Sequence, residues 1–178
     1  MDAFYFLHHG QTDWNLRGQL MGHQDISLND TGRKQAQEAA RILIGHDISS
    51  ICYSPLVRAT ETAKIIAQEC PCNLYPFAGF SERAWGDWEG KVVPKDQLKK
   101  TEDHLPSGAE NFEDFRHRVL SALQEASAFP SPFLIISHSG VFNVICQELH
   151  LPEADLAKTP LLHFSQRLGK WTMEVLAI

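Results

Sequence analysis

Two histidine-bearing segments and one arginine are the residues of this sequence best suited to chemistry. His8-His9-Gly10 follows a short apolar run, His138-Ser139-Gly140 follows a second one, and Arg58 lies in the first turn of an expected helix. Imidazole changes charge near neutral pH, and a guanidinium beside the free N–H groups of a helix start favours anions. The combination predicts a site for a small anionic ligand.

The hydrophobic pattern predicts a scaffold that would bring these segments together. Short apolar runs at 3–7, 50–53, 73–75, 133–137, 161–164 and 171–176 are typical of strands, and helical spacing of apolar residues separates most of them. This alternation predicts an α/β fold, a three-layer αβα sandwich around a mostly parallel, mixed sheet of about six strands. Ligands of such folds bind beyond the carboxyl ends of the strands.

Local signals predict where the helices begin and which side chains they bury. Asp30 or Thr31 is expected to cap the first long helix, Ser54-Pro55 to cap and open the second, and Asn111 to cap the third. Arg58 falls off the apolar stripe of its helix and could instead form a surface pair with Glu61. A surface or satisfied core role is the default for His23, His46, His104, His117, His150 and His163.

Length and charge restrict the function classes. A chain of 178 residues predicts one domain over 1–178, and the weakly periodic stretch 77–106 predicts a functional loop or lid. Net charge is −6, and there is no basic run of the size that nucleic acid needs. We therefore expect no nucleic acid partner.

The chain start and the cysteines predict a cytoplasmic protein. There is no basic leader and no apolar run approaching the ~18 residues of a membrane helix, so we expect no membrane association. Reduced thiols are expected at all four cysteines, Cys52, Cys70, Cys72 and Cys146.

The block Leu7-His8-His9-Gly10-Gln11-Thr12-Asp13-Trp14-Asn15 resembles the opening signature of the histidine phosphatase superfamily, the phosphoglycerate-mutase-like proteins. That signature usually reads Leu/Val-x-Arg-His-Gly-x-Thr-x-Trp-Asn. Further similarity runs in the expected order from residue 3 to about residue 145. The matching positions are Gly18, Gly22, Asp25, Leu28, Thr31-Gly32, Gln35-Ala36, Ser54-Pro55-Leu56-x-Arg58-Ala59-x-x-Thr62-Ala63, Glu82, Gly86, Trp88-Glu89-Gly90, Glu110, Arg118 and Ser137-His138-x-Gly140.

The resemblance implies a metal-independent phosphomonoester hydrolase that needs no cofactor and acts on small phosphorylated metabolites. The catalytic residues it implies are His9, Glu82, His138 and Arg58. It also implies a set of phosphate-binding or substrate-binding residues, His8, Gly10, Asn15 and Ser139. No metal ligands are implied, and the sequence carries no prediction of oligomeric state.

Each implied role agrees with the chemistry of its residue type. His9 would attack phosphorus and carry the phosphoryl group as a phosphohistidine. Arg58 would chelate two phosphoryl oxygens, and Gly10 would give the phosphate room to approach. Glu82 would protonate the leaving alkoxide and later help to deprotonate water.

One departure from the family pattern lies beside the nucleophile. His8 stands where the family normally has an arginine that binds the phosphoryl oxygens. Imidazole has an ordinary pKa near ~6.5 and cannot form a bidentate fork. We therefore expect weaker transition-state binding unless His8 is protonated, and an activity that improves at mildly acidic pH relative to a His8→Arg variant.

Three alternatives stay open at this point. A phosphoglycerate-type mutase is the first, although the chain is short for a site that must shield its phosphohistidine from water. The second is a weakly active or inactive phosphate-binding regulatory module, which the histidine at position 8 motivates. The third is a metal hydrolase that uses the three rim histidines with Glu82 or Asp25. Adjacent strand residues point to opposite faces, which argues against His8 and His9 as joint ligands.

Overall fold

The computed structural model describes residues 1–98, 105–152, 154–156 and 161–177. The strands are β1 (Phe4–His8), β2 (Ser50–Tyr53), β3 (Asn73–Pro76), β4 (Phe133–Ser137), β5 (Leu161–Arg167) and β6 (Lys170–Ala177). The helices are α1 (Asp13–Arg17), α2 (Asp30–Leu43), α3 (Val57–Glu69), α4 (Lys95–Leu98), α5 (Phe112–Ala126) and α6 (Ser139–Glu148). Two 3₁₀ helices, Ala78–Phe80 and Gly86–Trp88, lie between β3 and α4.

The six strands form one sheet in the order β3-β2-β4-β1-β5-β6. β1, β2, β3 and β4 run parallel to one another, and β5 and β6 form a hairpin whose strand β5 is antiparallel to β1. Every residue of β1 and β4 is buried, as expected for central strands of a sheet covered on both faces. The predicted mixed sheet of six strands is confirmed.

Two hydrophobic clusters lie on opposite faces of this sheet. Phe4 and Phe6 of β1 pack with residues of α5 and α6, whereas Tyr5 and Leu7 pack with residues of α2 and α3. This alternation along one strand is the two-residue period of a pleated sheet. The predicted three-layer αβα sandwich is therefore confirmed.

Two of the predicted helix starts are wrong by one or two residues. Asn29, and neither Asp30 nor Thr31, caps α2, because its side chain accepts the Gly32 N–H at 2.9 Å. α3 begins at Val57 with Leu56 in the cap position, so Ser54 is not its cap. The cap of α5 at Asn111 is confirmed.

The stretch 77–106, predicted to be a loop or lid, contains the two 3₁₀ helices and α4 within its described part. Residues 99–104 of this stretch lie outside the described residues. Among the described residues, no helix is long and apolar enough to span a membrane.

Candidate active site

The carboxyl ends of β1 and β4 place three imidazoles side by side. The His8 and His9 ring centroids are 4.1 Å apart, and the His9 and His138 centroids are 5.2 Å apart. The two strands are parallel neighbours with His8 opposite Ser137, so the residues that follow them meet at the same edge. The argument that His8 and His9 must diverge is wrong, because His9 lies past the end of β1, outside its pleat.

His9 is held as a neutral imidazole with a defined tautomer. Its Nδ1 lies 2.8 Å from the Gly10 carbonyl oxygen, and a carbonyl only accepts, so Nδ1 carries the proton and Nε2 does not. Burial, with the neighbouring His8 and Arg58, lowers the pKa of His9 well below its usual value. Nε2 is therefore an unprotonated nitrogen at neutral pH.

His8 is buried and is also neutral. Its Nδ1–H donates to the His9 carbonyl oxygen at 2.9 Å, and its Nε2 accepts from the Ser139 hydroxyl at 3.2 Å. Burial, together with Arg58, lowers the pKa of His8 to about 4, although the hydrogen bond to the His9 carbonyl opposes this shift. A pKa of about 4 leaves His8 uncharged at mildly acidic pH in the ligand-free protein.

His138 is fully buried, and one of its ring nitrogens has no partner. Its Nε2 lies 2.7 Å from the Ser54 hydroxyl, which also accepts the Leu56 N–H. Within the described part of the chain, His138 Nδ1 has no hydrogen-bond partner. Burial and the nearby Arg58 lower the pKa of His138 well below its usual value.

Arg58 is fully buried, so a surface pair with Glu61 is wrong. Its Nη1–H donates to the Gln24 carbonyl oxygen at 2.9 Å, and its Nη2–H donates to the Gly22 carbonyl oxygen at 2.8 Å. Burial lowers the pKa of Arg58 to about 10, with Glu82 as the largest opposing charge, so the group stays cationic at neutral pH. No described residue accepts from its Nε–H.

The carboxylate of Glu82 lies against the backbone at the start of α6. Its Oε2 accepts the Gly140 N–H at 3.1 Å, and its Oε1 accepts the Arg83 N–H at 2.8 Å. A Cβ at position 140 would overlap the Glu82 carboxylate, so this approach requires glycine. His23, exposed and given only a default role by the sequence, donates from Nε2 to the Glu82 carbonyl oxygen at 2.7 Å.

A cavity of about 670 Å³ opens over this edge of the sheet. Of the residues predicted for the site, it is lined by His9, Arg58, Glu82, Asn15 and Ser139. The remaining walls are mostly apolar or amide side chains, including Leu20, Met21, Phe112, Phe115, Asn143 and Gln147. Ser139 lines the cavity, whereas His8, which contacts the Ser139 hydroxyl, does not.

Gly10 lies in a close contact between two backbone segments. A Cβ at Gly10 would overlap the Gly32 carbonyl, and a Cβ at Gly32 would overlap the Gln11 carbonyl, so the two glycines let β1 and α2 approach closely. The Gly10 N–H donates to Thr62 Oγ1 at 3.1 Å and is not aimed at a ligand. Gly10 therefore lets the segment that carries His9 pack against α2, and its role beside a phosphate stays a prediction.

Asn15 reaches the cavity from the first turn of α1. Its Oδ1 accepts the Thr12 N–H and the Thr12 hydroxyl, both at 2.9 Å, in a reciprocal capping box. With Oδ1 fixed in this way, the amide presents its NH₂ group as the remaining donor. The arrangement suits an anionic ligand.

Metal binding finds little support in this geometry. Within the described ranges, no group of three or more histidine, cysteine, aspartate or glutamate side chains converges as a metal-binding set. The carboxylate of Asp25 accepts the Val57 N–H at 3.0 Å at the start of α3. It therefore acts as a helix-start acceptor there.

Several contacts at this site involve residues that were not predicted to belong to it. Ser54 and Thr62 stand in the block that carries the resemblance, so the family match contained a signal for them. The Gly22 and Gln24 carbonyls carry no side-chain signal, because any residue type supplies a backbone oxygen. They could not be found from sequence.

Comparisons with known proteins agree with this geometry. The family model of the histidine phosphatase superfamily (branch 1) matches residues 4–173. An uncharacterized phosphatase of Bacillus subtilis, PhoE, is 31% identical over 165 residues, which cover 92% of this chain and 85% of PhoE.

Two solved structures share the fold over nearly the whole chain. A mycobacterial glucosyl-3-phosphoglycerate phosphatase complexed with VO3 has a TM-score of 0.81 and 25% identity, with 98% of both chains covered. A phosphoserine phosphatase of Entamoeba histolytica in complex with 3-phosphoglyceric acid has a TM-score of 0.78 and 26% identity, covering 97% of this chain and 95% of that one. By family match and by fold, this chain belongs to the histidine phosphatase superfamily.

Proposed function

We propose that this chain is a phosphomonoesterase that transfers the phosphoryl group of a small phosphorylated metabolite first to His9 and then to water, without a metal ion. Family membership and the phosphatases among its relatives support phosphomonoester hydrolysis. The observation that carries the proposal is His9 itself. Its Nδ1–H is fixed on the Gly10 carbonyl, which leaves an unprotonated Nε2 on a side chain that lines the cavity.

The phosphoryl group needs fixed positive charge, since phosphoryl transfer depends mainly on positioning and electrostatics. Arg58 supplies a buried guanidinium whose Nε–H has no acceptor among the described residues. A buried donor without a partner is costly, and a phosphoryl oxygen would satisfy it. The Asn15 amide lines the same cavity. His138, whose Nδ1 has no partner among the described residues, is buried behind it with its ring 5.2 Å from that of His9.

Two steps complete the reaction. In the first, the bond from His9 Nε2 to phosphorus forms, the bond from phosphorus to the ester oxygen breaks, and protonated Glu82 gives its proton to the leaving oxygen. In the second, water attacks phosphorus, Glu82 takes a proton from the water, and the phosphorus–nitrogen bond breaks. Inorganic phosphate and a regenerated imidazole remain.

A weakly active or regulatory phosphate-binding protein is the second candidate, and His8 favours it. A neutral, buried imidazole replaces the guanidinium that the family places beside its nucleophile. Of the described residues, the cationic side chains that line the cavity are then Arg58 and Arg83. We expect a functional but slow enzyme in the cytoplasm, where the four free cysteines would stay reduced.

The test is phosphate release from p-nitrophenyl phosphate by the wild type and by His9→Ala. We expect the variant to lose at least about 10³-fold in kcat/KM, because the nucleophile is removed. Wild-type enzyme quenched during turnover should carry base-stable, acid-labile phosphate, and the variant should not.

His117→Ala, a change at an exposed histidine of α5, is the matched control and should behave as wild type. Undiminished release by His9→Ala would contradict the proposal. Interconversion of phosphoglycerates with little phosphate release would support a mutase instead, and binding of phosphate without turnover would support the regulatory candidate.

A further inference from the structure

Arg118 of α5 and Glu110, just before that helix, form a partly buried ion pair close to the Glu82 segment. Arg118 Nε–H donates to Glu110 Oε1 at 2.6 Å, and Arg118 Nη2–H donates to Glu110 Oε2 at 2.8 Å. The side chains are 24% and 18% exposed, so the pair is shielded from water. Fork-to-fork geometry of this kind fixes orientation as well as charge.

The rest of the Arg118 guanidinium binds the backbone that carries Glu82. Nη1 donates to the carbonyl oxygens of Gly79 at 3.0 Å and Ser81 at 2.8 Å, and Nη2 donates to that of Glu82 at 2.9 Å. With the two carboxylate oxygens of Glu110, these make five acceptors for the five N–H groups of a guanidinium. The group is saturated, which sets it apart from Arg58.

Glu110 also reaches the other side of Glu82 through its own backbone. Its N–H donates to the Ala84 carbonyl oxygen at 3.0 Å, and its carbonyl oxygen accepts the Arg83 Nε–H at 2.9 Å. The residues before and after Glu82 are thus fixed to the same ion pair. Among the described residues, the carboxylate between them accepts from two groups, the backbone N–H of Arg83 and that of Gly140.

We propose that Arg118 and Glu110 are positioning residues for the general acid, holding the 79–84 backbone so that the Glu82 carboxyl reaches the leaving-group oxygen. Neither side chain donates to or accepts from Glu82's carboxylate, so neither is a catalytic residue. The inference rests on the proposed role of Glu82. It predicts that breaking the pair damages proton donation and spares phosphate binding.

Leaving groups of different basicity separate this role from a merely structural one. p-Nitrophenolate departs without a proton, whereas an alkoxide needs one. A misplaced Glu82 should therefore slow n-butyl phosphate much more than p-nitrophenyl phosphate. A general loss of folded enzyme would lower both rates by the same factor.

The variants are Arg118→Lys, which keeps the charge but offers only three donors, and Glu110→Gln, which keeps the shape but weakens the pair. We expect each to lower kcat/KM for n-butyl phosphate about tenfold more than for p-nitrophenyl phosphate, a fraction of what a general acid contributes. Inhibition by inorganic phosphate should stay within about twofold, since the Arg58 contacts are untouched. If Arg118→Lys does not fold in thermal unfolding, Glu110→Gln carries the test.

The same helix offers matched controls. Arg116 donates to Glu148 of α6 at 2.7 Å, and both side chains are about two-fifths exposed, at 41% and 43%. Arg116→Lys and Glu148→Gln repeat the two substitutions in an ion pair away from the Glu82 segment, and should show no dependence on leaving group. Glu82→Gln is the positive control and should show the largest dependence.

The outcomes separate this inference from the proposed function. Equal losses on both substrates in the Arg118 and Glu110 variants, beside a selective loss in Glu82→Gln, would overturn the positioning role alone. No phosphate release by wild type, or no selectivity in Glu82→Gln, would overturn the proposed function and the positioning role with it.

Discussion

The residue beside the proposed nucleophile sets part of the positive charge available to a phosphoryl group. Here that residue is His8, which gives its Nδ1–H to the His9 carbonyl and takes a hydrogen bond from Ser139 on Nε2. Both ring nitrogens are thus used inside the protein. With a pKa of about 4, the ring contributes no charge at neutral pH.

His8→Arg should therefore strengthen phosphate binding. A charge-assisted hydrogen bond contributes about 1.5–3 kcal/mol, so inorganic phosphate should inhibit the variant at least about tenfold more strongly than wild type. The measurement is the inhibition constant of phosphate between about pH 5.5 and 8, with thermal unfolding to show that the variant folds.

His8→Gln is the neutral control for that comparison and should bind phosphate within about threefold of wild type. Because His8 is neutral over this range, the ratio between wild type and His8→Arg should not change with pH. A wild-type affinity that rises to the level of the arginine variant at the acidic end would show that bound phosphate protonates His8.

At the scale of elements, hydrophobic period and turn signals were sufficient to predict the strands but not all of the helix starts. β2 and β4 begin and end as predicted. Short apolar runs of this kind are too short for a typical helix, so their length favours a strand. α3 begins later than Ser54, whose hydroxyl lies 2.7 Å from Nε2 of His138, a residue from a distant part of the chain. A tertiary contact of this kind leaves no local signal.

The contact between β1 and α2 yields a prediction about Gly32. Alanine favours a helix over glycine by about 1 kcal/mol, yet a Cβ here would overlap the Gln11 backbone. Backbone cannot move as a flexible side chain does, and overpacking of this kind costs about 1–3 kcal/mol or more. Gly32→Ala should therefore lower the free energy of unfolding in urea by about 2 kcal/mol.

Lys34→Ala is the control on the same helix, because Lys34 is exposed and its truncation opens no cavity. It should change stability by less than about 0.5 kcal/mol. A Gly32→Ala variant as stable as wild type would show that β1 and α2 can separate at little cost.

At the scale of the whole molecule, topology explains why much of the site could be predicted. β4 lies between β1 and β2, and all three are parallel, so the residues that follow them gather at one edge of the sheet. The histidine cluster follows from that rule. The burial of the Arg58 side chain does not follow from the topology of the sheet, because its hydrogen-bond partners are the backbone carbonyls of Gly22 and Gln24.

Gathering three imidazoles in the interior has a consequence for acid stability. His8, His9 and His138 all have lowered pKa values in the folded protein, mainly because burial disfavours their charged forms. In the unfolded chain each would titrate near ~6.5. Below that pH the unfolded state binds protons that the folded state does not, so stability falls as pH falls.

We expect the free energy of unfolding to drop as the pH falls from about 6.5 to 5, and for His8, whose folded-state pKa is about 4, the drop is about 1.5 kcal/mol. The lowered pKa values of His9 and His138 act in the same direction. Urea titrations at half-unit pH steps measure this slope, and restricting them to this window limits the contribution of carboxylates. For His8 the window extends to about 4, where its folded-state pKa lies.

His8→Gln should reduce that slope by one proton, because it removes one group that is protonated only when unfolded. His117→Gln, at an exposed position of α5, is the matched surface substitution. Equal slopes for wild type and His8→Gln would mean that the folded protein protonates His8 in this range. The cluster would then carry charge in the ligand-free enzyme, and His8 could replace the family's arginine after all.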